Sequence, residues 1–120
     1  MRQQHLEQAL VELNRSSSDI EASAVISKDG LMIASLLPQG LDEDRVGAMS
    51  ATILALGERT SNELRRGALD QVVIKGTDGY IVLSQAGGEA VVSVMARPEA
   101  KLGMIFLDVK RAAQAVAKVL

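Results

Sequence analysis

The chain is poor in the residues that carry covalent chemistry. His5 is its single histidine, it has no cysteine, and Tyr80 and Phe106 are its only aromatics. A zinc site would have to be built almost wholly from carboxylates. Neither a Ser-His-Asp nor a Cys-His nucleophile system can be assembled unless His5 folds in from the polar side of a terminal helix. The glycine-bearing segments Gly76-Thr77-Asp78-Gly79 and Ala86-Gly87-Gly88 match neither G-x-x-x-x-G-K-S/T nor G-x-G-x-x-G, the patterns that cradle phosphate, and read as hairpin turns. Asp42, Glu43 and Asp44 could bind a cation. Three acids ahead of an apolar-periodic run are more often a helix start, where they complement the positive end of the helix dipole. The reading is of a protein that is not an enzyme, with no catalytic residue, no metal and no cofactor. Its function must lie in its surfaces.

The most informative surface is on the stretch VGAMSATILALGERTSNELRRG, residues 46–67. Val46, Met49, Ile53, Leu56, Thr60 and Leu64 follow the spacing that lines one side of a 3.6-period helix. A second row, Gly47, Ala51 and Ala55, is small rather than charged, with Ser50, Leu54 and Ser61 beside it. Small side chains four apart let another backbone approach closely. On pattern alone, the bulky stripe led by Val46, Met49 and Ile53 grips the protein's own sheet. The small row then faces the same helix of a second copy. The alternative is a helix buried on two sides within one domain, its alanines chosen for helix propensity.

The elements that hold this helix are legible from turns and periodicity. Residues 1–15 carry Leu6, Ala9, Leu10 and Leu13 on one stripe, ending in Ser16-Ser17-Ser18-Asp19. Runs 20–27 and 31–37 flank Lys28-Asp29-Gly30, a hairpin signal, and Pro38-Gln39-Gly40 breaks the second. The acidic trio starts the long helix, Arg65 and Arg66 are placed in its last turn, and Gly67 is expected to stop it. LDQVVIKG, YIVLSQ and EAVVSVMA form an antiparallel meander, and the tail repeats apolar residues at helical spacing from Ile105 to Leu120. The order αββαβββα predicts a single α+β domain over 1–120, with a five-stranded antiparallel sheet and helices on both faces. The 69–76 strand has few features that block an edge, so Val72 and Ile74 are further candidates for pairing between copies.

Composition narrows the partners. Hydrophobic residues are 48% and charged residues 23%, as in a folded domain, and the net charge of −2 is too small to specify an acidic or basic partner. Scattered Lys and Arg with almost no aromatics offer nothing for bases to stack on, so no nucleic-acid partner is expected. The polar start MRQQHLEQ lacks the apolar core of a signal peptide, and no run approaches the ~20 apolar residues that span a bilayer. A cytoplasmic protein without membrane insertion is the expectation.

The segment SKDGLMIAS, the alanine-rich central helix and the block from VVIKGTDGYIVLSQAGGEAVVSVMARPEAKLG to the end resemble the Roadblock family, which includes the Roadblock dynein light chains and the bacterial MglB-type proteins. The resemblance covers residues from about 6 to 120 and rests on diffuse motifs, among them the Asp-Gly turn and Lys101-Leu102-Gly103. It implies a profilin-like layered domain and a homodimer with central helices side by side and the sheets joined. It also implies a small Ras-like GTPase as partner, activated or merely scaffolded, on a surface drawn from Arg45, Met49, Thr52, Ile53, Leu56, Arg59, Thr60 and Glu63. MglB-type proteins often add terminal segments that touch the partner, whereas Leu120 lies inside the predicted last helix. A signalling adaptor without a GTPase, or a small-molecule sensor domain, are the alternatives from other functional classes.

Overall fold

Strands whose apolar residues point to both faces need a covering layer on each. The computed structural model, which describes residues Met1–Leu120, supplies three helices for this purpose. The elements are α1 (Arg2–Ser16), β1 (Ile20–Ser27), β2 (Met32–Leu36), α2 (Glu43–Glu63), β3 (Gln71–Gly76), β4 (Gly79–Ala86), β5 (Ala90–Ala96) and α3 (Leu102–Val119). One antiparallel sheet takes all five strands in the order β2-β1-β5-β4-β3, so β2 and β3 are its edges. The fold is α+β with helices on both faces.

The side-chain period of two divides the core. On one face, α1 and α3 bring Leu6, Leu10, Leu13, Ile105, Val109 and Val116 against Val25, Val82, Val92 and Val94. On the other, α2 brings Val46 and Leu54 against Ala24, Ile26, Leu83 and Val91. The turns explain how the strands are kept in step. Gly76 pairs with Gly79 across the two-residue turn Thr77-Asp78, and a side chain on Gly79 would run into the Ala96 carbonyl.

The central helix starts as its sequence implies. Asp42 is the N-cap, and its Oδ1 accepts from the N–H groups of Asp44 and Arg45 at 3.0 and 3.4 Å. Its end differs from expectation. The helix stops at Glu63, so Arg65 and Arg66 lie beyond it, and Arg65 rather than Gly67 takes the first left-handed conformation, with φ +58°. The cause is a pair of closing hydrogen bonds: Arg66 N–H donates to the Ser61 carbonyl at 2.7 Å and Arg65 N–H to the Asn62 carbonyl at 3.2 Å. This two-bond closure puts the residue just past the helix cap in the left-handed region. Ser61 Oγ then donates to the Gly67 carbonyl at 2.7 Å and fastens the exit.

Two substitutions test this account by thermal or denaturant unfolding. Arg65→Gly removes a left-handed penalty of about 1 kcal/mol and should raise the melting temperature. Gly47→Ala would raise stability in an ordinary helix, but here the added methyl collides with the Gly30 carbonyl. It should instead cost ~1–3 kcal/mol.

Candidate interaction surface

Three contacts fix how α2 sits. At its first turns, Gly47 lies directly on Gly30 of the β1–β2 turn, where any Cβ would meet the Gly30 carbonyl oxygen. In the middle, Leu54 is buried among Ala24, Ile26, Leu83 and Val91. Further on, Gly57 rests on Leu69 and Val72 at the start of the edge strand β3, close enough that a Cβ would lie 2.9 Å from Val72 Cγ2. Ser35 Oγ donates to Glu43 Oε1 at 2.7 Å, and Lys28 Nζ lies 3.8 Å from Glu58 Oε1.

These contacts correct part of the face assignment made from pattern. Val46, Gly47, Ser50 and Leu54 are the buried residues of α2. Gly47, Ser50 and Leu54, expected at a twin helix, therefore face the protein's own sheet. Of the bulky stripe expected to grip that sheet, Val46 is buried on it and Ile53 packs half-buried against its core, whereas Met49 is 52% exposed. The physical reason is distance. Small residues let the helix axis come down onto the hairpin backbone, and a bulky stripe there would hold it off. Ala51 is half-buried and Ala55 exposed, on the flank that carries Ala48 toward Gly30. Ser61 is half-buried, its hydroxyl spent on Gly67.

The outward half of α2 holds all eight residues named for a partner: Arg45, Met49, Thr52, Leu56, Arg59, Thr60 and Glu63 are exposed, with Ile53 half-buried. Much of its polarity is already satisfied within the helix. The Thr52 and Thr60 hydroxyls donate to the Ala48 and Leu56 carbonyls at 2.8 and 2.7 Å, and Arg59 Nε donates to Glu63 Oε1 at 3.0 Å. What remains for a binder is the Arg45 guanidinium and an apolar strip: Met49, Ile53, Leu56 at 63% exposure and Leu64 at 65%.

This strip borders a groove of about 400 Å³ between Ile53, Leu56, Thr60 and Leu64 on the helix and Leu69 and Val72 at the sheet edge. Past the groove, on the same face of the sheet, Ile74, Ile81 and Met95 form a shelf. A second open hollow of about 400 Å³ lies above it, bordered by Glu21 and Tyr80. Val72 and Ile74 thus point to the α2 side of an edge strand, half-buried and exposed respectively. Sequence reasoning did not single out Leu69, Ile81 and Met95. Their signal was the alternation that puts Ile74, Ile81 and Met95 in one cross-strand row.

The Roadblock/LC7 domain model matches residues 6–96. The chain belongs to the Roadblock/LC7 family. Three uncharacterised proteins of Methanocaldococcus jannaschii are each 38% identical to this family member over 111 residues, covering 92% of its chain and 92% to 96% of theirs. Among solved structures, the gliding protein MglB of Thermus thermophilus superposes with a TM-score of 0.88 at 20% identity, covering 98% of this chain and 90% of that one. A Roadblock/LC7 domain from Streptomyces avermitilis reaches 0.83 at 21%, covering 93% and 94%. Profilin II of Acanthamoeba castellanii reaches 0.64 at 12%, covering 94% and 97%, which places the Roadblock/LC7 layers in a profilin-like architecture. No helix of this Roadblock/LC7 chain is long and apolar enough to cross a membrane.

The face assignment is checked by paired truncations under conditions where the chain is monomeric. Leu54→Ala should cost about 2–5 kcal/mol of unfolding free energy, whereas Leu56→Ala, two residues on, should stay within ~0.5 kcal/mol.

Proposed function

We propose that this Roadblock/LC7 protein is a homodimeric, non-enzymatic regulator or scaffold of a small Ras-like GTPase. The observation that carries the reading is the exposed apolar strip of α2, continuous through the groove with the shelf at the β3 edge. A monomer gains nothing from leaving such a patch in water.

A second copy fits it by topology. When β3 pairs antiparallel with its own copy across a two-fold axis, the end of the sheet that carries the shelf comes alongside the partner's groove end. The C-terminal half of the partner's α2 then lies over Ile74, Ile81 and Met95. Ile53, Leu56, Thr60 and Leu64 line the seam, and Val72 and Ile74 continue the sheet. MglB, which shares the fold, is found in a tetrameric arrangement. Arg45, Met49, Thr52, Arg59 and Glu63 stay outward on the paired helices, as a platform of mixed charge and apolar surface for the GTPase. The phosphoryl-transfer machinery belongs to the GTPase, and this protein acts on the conformation of its switch loops.

Leu56→Glu tests the dimer by sedimentation. A buried leucine is worth ~1.5–3 kcal/mol and counts twice across a two-fold, so the dimer constant should fall by at least about 100-fold. The GTPase is tested by mixing the native protein with small Ras-like GTPases of the same cell, then following co-elution and GTP hydrolysis. Nucleotide-dependent co-elution that Met49→Glu abolishes supports the reading. No co-elution together with an unchanged hydrolysis rate would sink it, and retention of a non-GTPase signalling protein would make this chain an adaptor.

A further inference from the structure

On the face of the sheet opposite α2, the buried stripe of α3 is interrupted by a carboxylate. Ile105, Val109, Ala112, Ala113 and Val116 are the other buried residues of that helix, and Asp108 sits among them at 7% exposure. Burying a carboxylate is costly unless it is paired and hydrogen-bonded. Asp108 makes neither kind of strong contact. No side-chain hydrogen bond reaches it, and its one ionic neighbour is Nη1 of Arg111 at 3.6 Å, a single-point contact from a side chain that is 73% exposed.

The carboxylate is not sealed in. It lines a groove of about 160 Å³ between α1 and α3, whose other walls are Ala9, Leu13, Ser16, Ala112 and Ala115, with Glu12 and Arg111 also lining it. The walls are small and mostly apolar, and both carboxylates belong to the groove. Ser16 donates its hydroxyl proton to the Leu13 carbonyl at 2.6 Å, which leaves its oxygen free only to accept. The groove therefore presents two carboxylates, and its one charged donor is the largely exposed guanidinium of Arg111. Two carboxylates without histidine or cysteine are too few for a metal ion. A guanidinium suits the place better: it is flat, more weakly hydrated than an ammonium, and takes a carboxylate bidentately.

We propose that the α1–α3 groove is a binding site for an arginine side chain of a partner protein, with Asp108 as its buried acceptor and Glu12 as a second carboxylate. Arg111 holds the place loosely when the partner is absent. The site lies on the face away from α2 and does not depend on the GTPase reading.

The test follows backbone amide shifts of the labelled full-length protein during titration with N-acetyl-arginine amide and with its neutral isostere N-acetyl-citrulline amide. Arginine amide should give saturable shifts at Ala9, Asp108, Ala112 and Ala115, with citrulline amide at least about tenfold weaker, as a charge-assisted contact requires. Asp108→Asn keeps the shape of the side chain, and a dispersed spectrum shows that it folds. It should weaken arginine amide by ~tenfold or more. Arg111→Gln removes the resident guanidinium and should bind arginine amide at least as tightly as the native chain. Equal binding of citrulline, unchanged binding by Asp108→Asn, loss of binding in Arg111→Gln, or absence of saturable shifts would each overturn the assignment.

Discussion

The contact between Gly47 and Gly30 sets the geometry on which the interaction surface depends. Backbone lies on backbone there, which is open only to residues without a Cβ. It brings the start of α2 down onto the first hairpin, while Gly57 does the same on Val72 at the far edge. A helix held low at two points has no freedom to roll. Leu54 must then point into the sheet with Ile53 half-buried beside it, and Met49, Leu56 and Leu64 must point away from it or along its flank. The apolar strip is thus a consequence of close packing and not a failure of it.

A second constraint is one of width. Five strands about 4.8 Å apart make a face ~24 Å across, and a helix covers ~10 Å of it. Two helices, α1 and α3, nearly fill one face, and the cluster they make is the larger of the two cores. One helix cannot fill the other. The uncovered part is the shelf of Ile74, Ile81 and Met95, at the edge where β3 has no neighbour. An unpaired strand edge and an uncovered apolar shelf in the same place are two incomplete features that one partner can complete together.

The polar contacts of the chain are few and lie mostly at its surface. Of its charged pairs on α2, Arg59 with Glu63 at 3.0 Å is local and solvent-exposed, and Lys28 with Glu58 is a loose 3.8 Å contact to the first hairpin; pairs of that kind contribute little to stability. Asp108 is the exception, a charge kept among apolar neighbours on α3 and open to a groove. The two faces of the sheet consequently differ in character: broad and apolar beside α2, narrow and charged between α1 and α3.

The element order and the αββαβββα layering could be read from the sequence, because turns, caps and hydrophobic periods are local properties that each segment carries by itself. A helix start within the trio Asp42-Glu43-Asp44 and the Gly30 hairpin were visible for the same reason. Local pattern also marked α2 as the surface of interest, since its two apolar rows exceed what one buried face needs. It could not say which row was which. Periodicity reports that residues share a side of a helix, and not what that side meets. That Gly47 and Leu54 turn inward while Met49 and Leu56 turn outward was decided by the hairpin that rises under the helix, a contact between residues 17 apart in the chain at Gly30 and Gly47. The helix end was likewise decided by closing hydrogen bonds at Arg65 and Arg66 against the expectation of a glycine stop. The grooves belong wholly to tertiary structure: Asp108 in sequence is one more acid on a helix, and only the approach of α1 gives it a wall on the other side.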